Sequence, residues 1–346
     1  MKRIAMTLSI CLSLVACHKS ASGPSGSGGG PSGGADPVVY VAGSEGYVAK
    51  YWKDKTAVSL TSGAYGARVN ALFVSGSDVY ATGYEYSGTG GNGVARYWKN
   101  GTAVTLSDGT QDVNATSVFV AGNDVYVAGS SYNNATNKST AQYWKNDANT
   151  VVKLTDGTNK AFATSIFVSG SDVYVAGREY NGTAFVAKYW KNGKEVALTD
   201  GTHDGDATGI YVSGSDVYVA GTKYIGSSNT AVYWKNGVAV PLTNSGYGSS
   251  ASSIFVSGSD VYVTGQEYSG SKYAAKYWKN GVAVALTGGT TDANATSVFV
   301  SGGDVYVGGY EYNATSHGVV KYWKNGVAVP LTDGTTYGVG TGIWVK

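Results

Sequence analysis

Cysteine is scarce: Cys11 and Cys17 are the only two among 346 residues. From His18 onward there is none, which excludes disulfides, thiolate metal sites and a cysteine nucleophile from any folded domain that follows. Histidine is nearly as rare. Beyond the N-terminal segment only His203 and His317 occur, too little for a histidine-based triad or a zinc site. Proline (5) and methionine (2) are sparse and charged residues make up 14%. No window is rich in helix formers, so no phosphate loop opening a helix is expected. A basic excess is also missing. Setting aside Lys2 and Arg3 leaves 23 basic and 23 acidic residues, which argues against a nucleic-acid partner.

Apolar runs are short as well. Ile4 to Val15, preceded by Met1, Lys2 and Arg3, is too short to span a bilayer and reads as the core of an export signal. It ends in Leu14-Val15-Ala16-Cys17, which resembles the bacterial lipoprotein cleavage box. That resemblance implies that residues 1–16 are a lipoprotein signal peptide and that Cys17 is the lipidation site. It also implies a chain held on the cell envelope by its lipid, with His18 after the cysteine favouring the outer membrane. Residues 18–36 are Ser, Gly and Pro with almost nothing apolar. Together with Cys17 they form a flexible tether, reaching roughly 25 Å on Gly-rich chain statistics.

What is abundant is glycine (51), tyrosine (28) and repetition. Tyr-Trp pairs begin at residues 51, 97, 143, 189, 233, 277 and 322, spaced 46, 46, 46, 44, 44 and 45 residues apart. Between them the same four segments return, shown best by ATSIFVSG, SDVYVAGREY, FVAKYWKNG and KEVALTDGT within residues 163–202. Each is a short β-branched and aromatic run bounded by turn residues, the pattern of a strand. Gly-Ser-Asp or Gly-Asn-Asp joins the first two segments, and Asn-Gly joins the last two in most copies. Such tight hairpins demand antiparallel neighbours and exclude a parallel β-helix.

A four-stranded antiparallel sheet repeated at this period predicts an all-β fold, a β-propeller of seven blades spanning residues 37–346. Pro241 and Pro330 fall in the fourth segment, which must therefore be the outer edge strand, because proline cannot donate to a ladder. The first segment then lines the central channel. Val38 to Val41 matches a second strand, whereas Gly342 to Lys346 matches a first strand. The C-terminal segment is thus expected to join the N-terminal blade and close the ring, removing an exposed edge. The repeats broadly resemble bacterial extracellular repeats of the HAF family, which share an apolar strand, a Gly turn and a Trp-x-Asn-Gly turn. This resemblance implies a propeller-like fold and an extracellular setting, and no activity.

Short, uniform turns fall on one face of such a ring and longer, variable loops on the other, including 84–93, 130–140, 310–318, 61–70 and 244–252. Variable loops on a rigid scaffold are where binding sites tend to lie. Glu45, Glu85, Glu179, Glu267 and Glu311 recur at the end of the second strand. Carboxylates around a channel mouth suit a cation or acid–base chemistry. A cation nevertheless precedes the Tyr-Trp pair in every copy that keeps the glutamate: Lys50, Arg96, Lys188, Lys276 and Lys321. The two copies without Glu carry Gln142 and Val232 there. This matched loss predicts opposite-charge pairs across the hairpin. Asp200, Asp204 and Asp206, with His203, form an alternating acidic loop suited to calcium, but it lacks a bidentate glutamate, and its Asp-Gly-Thr start recurs elsewhere as an ordinary turn.

The first-strand aromatics (Phe73, Phe119, Phe167, Tyr211, Phe255, Phe299, Trp344) and the Tyr-Trp pairs recur in every copy and read as packing between blades. Tyr86, Tyr132, Tyr180, Tyr224, Tyr268 and Tyr312 sit instead where the second strand enters the variable loop. They either cover blade edges or offer flat faces to a sugar or protein surface, since tyrosine gives large contact area at low entropy cost. No catalytic set, metal site or cofactor site emerges. The expectation is a monomeric, envelope-anchored, non-catalytic binding or scaffolding propeller that engages a surface protein or glycan. A polysaccharide-processing enzyme using carboxylates of the same face is the alternative, and a purely structural envelope subunit a third.

Overall fold

The computed structural model describes residues 36–88, 91–226, 228–243 and 248–346. The signal-like segment, Cys17 and the tether up to residue 35 lie outside these. The described residues form 28 strands and no helix. They are arranged as seven four-stranded antiparallel sheets, so the chain is a seven-bladed β-propeller. Blade 4 shows the unit: Ala161–Ser169, Asp172–Tyr180, Phe185–Lys191 and Lys194–Ala197, hydrogen-bonded in that order. The first strands of all seven blades line one central cavity of about 450 Å³, and the strands bearing Pro241 and Pro330 are outermost.

Blade 1 alone is assembled from both ends of the fold. β28 (Gly338–Val345) pairs with β1 (Val39–Glu45), with Val345 opposite Val39 and Gly338 opposite Glu45. Tight turns set each register. Asn192 and Gly193 both take positive φ, +51° and +80°, the pattern of the hairpin turn whose twist matches the strands it joins. Asn192 does more than turn the chain. Its side-chain oxygen accepts from Val173 N–H at 2.8 Å and its amide donates to Asp172 at 2.8 Å. The two hairpin turns of the blade are thereby bolted together, and Lys191 completes the cluster with an ion pair to Asp172 at 2.8 Å.

Strand alternation sends the Tyr and Trp of each pair to opposite faces of a blade, hence into two different seams. Tyr51 packs with Trp98 of the next blade around Val69, Leu72 and Ala81, and six further clusters repeat the arrangement around the ring. Trp52 to Trp323, seven in all, are at most 2% exposed. Truncating one such side chain to alanine costs ~3–5 kcal/mol, so the seams hold the blades together.

Every first strand carries one extra residue at a bulge, as where the register jumps from Ala163 to Ser165 and skips Thr164. The side chains of Asn70, Thr116, Thr164, Thr208, Thr296 and Thr341 at these bulges each donate to a backbone carbonyl of the following blade, at 2.7–3.0 Å. Opposite each bulge the second strand has glycine. A Cβ on Gly177 would lie 2.0 Å from the Phe162 carbonyl oxygen and 3.0 Å from the Trp190 ring, so no other residue fits without moving backbone.

Candidate functional site

The seven first-strand aromatics form a closed circle at the channel end nearer the short turns. Successive ring centroids are 4.3–5.1 Å apart, from Phe73 to Phe119 and so around to Trp344 and back to Phe73. Their interplanar angles, 47–54°, match the rotation from one blade to the next, so the ring planes stand along the channel axis like vanes. Packing between blades is therefore their role, and they also form an apolar floor to the channel.

The expected glutamate–cation pairs all form. Lys188 meets Glu179 at 2.8 Å and Lys321 meets Glu311 at 2.7 Å, with Lys50–Glu45, Arg96–Glu85 and Lys276–Glu267 alongside. Their geometry corrects one detail. Lys188 lies directly opposite Gly177, and Glu179 opposite Val186, so each pair is diagonal across the hairpin, over the glycine. Lys188 Nζ lies 6.0 Å from the Trp190 ring centre. Burial alone would lower the Lys188 pKa, but hydrogen bonds to Glu179 and Glu195 more than reverse this and hold it above its ordinary value. None of the five glutamates lines the central cavity or the cavity above it. They are turned into the seams and do not ring the channel mouth.

The acidic loop of blade 5 is likewise dispersed. Asp200 accepts from Thr202, Asp204 from Phe185 N–H at 2.7 Å, and Asp206 pairs with Arg178 of blade 4. No group of three or more potential metal ligands occurs among the described residues.

What the structure assembles is a second cavity of about 540 Å³ on the long-loop face, above the channel and across blades 2 to 5. The bulge residues Thr116, Thr164 and Thr208 belong to both cavities, so the upper one opens onto the channel. Its distinctive side chains come from two positions per blade: the second residue of the first strand, and the residue after the conserved glycine of the second. These two are cross-strand partners, as in Phe162 opposite Arg178 and Asn114 opposite Ser130. Arg178 reaches across the seam to Asp206, and its guanidinium lies 5.2 Å from the Phe162 ring centre and 4.6 Å from that of Phe185. The hydroxyl of Tyr224 donates to the other Asp206 oxygen at 3.2 Å. Burial first, then the charge of Asp206, holds this phenol above its ordinary pKa.

The six rim tyrosines occupy this same face, in unequal settings. Tyr86 and Tyr132 line the cavity itself, Tyr86 in edge contact with Tyr84 at 5.4 Å. Tyr224 touches it through Asp206. Tyr180 packs on Phe185, Tyr268 on Tyr273, and Tyr312 on Tyr310 and Tyr337, outside the cavity. Tyr86 also borders a shallower 360 Å³ depression with Tyr47 and Tyr65, both well exposed. Arg178, Phe162 and Tyr84 carry no motif in the sequence, and Asp206 stands out there only as a member of the acidic loop. The signal that marks them is divergence among copies: at the position of Arg178 the other blades hold Ser44, Tyr84, Ser130, Thr222, Gln266 and Tyr310, although the glycine before it never changes.

Among solved structures the chain is similar to the β-propeller domain of the trilobed protease from Pyrococcus furiosus, described as having an open velcro topology. The TM-score is 0.52 at 12% identity, covering 87% of this chain and 96% of that one. It is also similar to the Pyrococcus horikoshii acylaminoacyl peptidase in its orthorhombic crystal form, with TM-score 0.53, 11% identity and 87% coverage of this chain. The match spans only 51% of the peptidase. Identity this low shows the fold alone. No family model matches the chain, and no curated protein matches it.

Proposed function

We propose that this protein is a non-catalytic binding propeller, held on the bacterial cell envelope by a lipid on Cys17, that engages a protein or glycan through its long-loop face. One observation carries the reading. The packing positions of the repeat are nearly uniform, whereas at the two cross-strand positions that meet at the upper channel mouth blades 3, 4 and 5 carry Asn114 with Ser130, Phe162 with Arg178 and Asp206 with Thr222. A scaffold that is symmetric in its packing and varied at its long loops and the cavity among them suits an asymmetric partner.

Hydrolysis of a polysaccharide on the same face would require two carboxyl groups facing one bond. The two that line the cavity are otherwise engaged: Asp112 accepts from Gly93 N–H at 2.6 Å and Asp206 pairs with Arg178. The test is a glycan array together with a pull-down of envelope surface proteins, using the full-length chain. Capture of a specific ligand without its turnover supports the reading, whereas steady release of cleaved sugar from a bound polysaccharide would overturn it.

A further inference from the structure

Among the described residues lining the upper cavity, Arg178 is the only cation and Asp112 and Asp206 are the carboxylates. The lining as a whole leans negative, which disfavours an acidic ligand. Arg178 offers donors only, the carboxylates offer acceptors only, and Asn114 and Ser130 offer both. A ligand rich in hydroxyl groups satisfies all three kinds, because each hydroxyl both donates and accepts. The guanidinium is also held rigidly. Phe162 and Phe185 flank it and Asp206 takes one of its nitrogens, so its remaining donors are aimed before any ligand arrives, at little entropic cost on binding. Tyr84, Tyr86 and Tyr132 supply an apolar wall against which the C–H face of a sugar ring can lie. The volume, about 540 Å³, falls within the ~300–1,000 Å³ usual for small-ligand sites.

Resting on the reading that the long-loop face binds, we propose that this cavity takes a neutral oligosaccharide. One sugar packs on the tyrosine wall, and its hydroxyls accept from the Arg178 donors that Asp206 does not take and donate to Asp112. Tyr86 borders both the cavity and the depression beside Tyr47 and Tyr65, so the saccharide continues outward over that patch.

The experiment is calorimetric titration of the full-length protein with the neutral and acidic oligosaccharides of a glycan array, repeated on variants. Neutral oligosaccharides should bind. Tyr132→Ala and Arg178→Ala should each weaken them about tenfold or more, and Arg178→Lys, which keeps the charge and loses the planar fork, should weaken them nearly as much. Val282→Ser, on an exposed outer strand, should bind as the wild type does, and melting temperatures identify any variant that fails to fold. Binding of neutral sugar unaffected by Arg178→Lys and Tyr132→Ala would overturn this site. Binding of acidic oligosaccharides or proteins alone, through the same face, would overturn the ligand class and leave the face reading standing. Capture of nothing at all would overturn both.

Discussion

The hydroxyl of Thr341 donates to the carbonyl of Val69 at 3.0 Å, across 272 positions of sequence. It is the same bond that Thr164 makes to Ala207 at 2.7 Å, one blade ahead, and it shows that the seam between blades 1 and 2 is built like the others although blade 1 is drawn from both ends of the fold. Replacing Thr341 by Val keeps the shape and removes the bond, leaving the Val69 carbonyl short of a donor. The expected loss is about 1–2 kcal/mol, read from denaturant unfolding. Removing Gly338–Lys346 takes away a whole strand and exposes the edge of β1. It should broaden or split the unfolding transition and promote self-association, checked by calorimetry and light scattering.

The glutamate–lysine diagonals make opposite predictions for stability and for binding. Lys188 is the one charged residue buried among the described residues, so Lys188→Met leaves Glu179 in the seam without its main partner. A loss of about 1–3 kcal/mol is expected, with Glu179→Gln milder. Ligand binding by the folded fraction should be unchanged, since neither residue lines the cavity. A folded Glu179→Gln protein with abolished binding or turnover would contradict the structural role.

Gly177 separates sterics from conformational preference. Its φ is not in the left-handed region, and the obstacle to a side chain is the Phe162 carbonyl. Gly177→Ala should therefore cost more than a typical overpacking change, at least about 3 kcal/mol, and thermal unfolding would register it. Gly193→Ala, at positive φ with nothing near its Cβ, should cost about 1 kcal/mol.

Acid should weaken the fold through the turn clusters. In Asp78, Asp172, Asp216 and Asp260 a hydrogen bond from the adjacent lysine, and then one from the turn asparagine, lowers the carboxyl pKa below its ordinary value. A depressed folded pKa means the charged form is favoured by folding. The stabilisation is therefore fully present above about pH 4, the unfolded aspartate value, and is lost as pH falls further through the folded value. Melting temperature should be flat with respect to these groups from pH 7 to pH 5 and drop below pH 4. Asp172→Asn should flatten that drop slightly.

Much of the fold was legible in the sequence, and the reason is local. The Asn-Gly turns, the two-residue alternation and the 44–46-residue period each act within a hairpin or between adjacent copies. Strand order, blade number, the outer position of Pro241 and Pro330, and closure by the last strand all follow from them. The copy-by-copy match of glutamate to cation likewise revealed the ion pairs, because both partners lie on one hairpin.

What only the tertiary structure decided depends on contacts between blades. That each ion pair is diagonal over a glycine follows from the register of the second and third strands, which are joined by a variable loop and not by a tight turn that would fix it. That Phe73 through Trp344 close into a circle, and that Arg178 of blade 4 and Asp206 of blade 5 meet beside Tyr84 and Tyr132, depends on how seven sheets are rotated about one axis. The sequence by itself determined the repeated unit, whose hydrogen bonds are short in range. The curvature of the ring decided which odd side chains of different copies share a cavity, because it is there that segments distant along the chain converge.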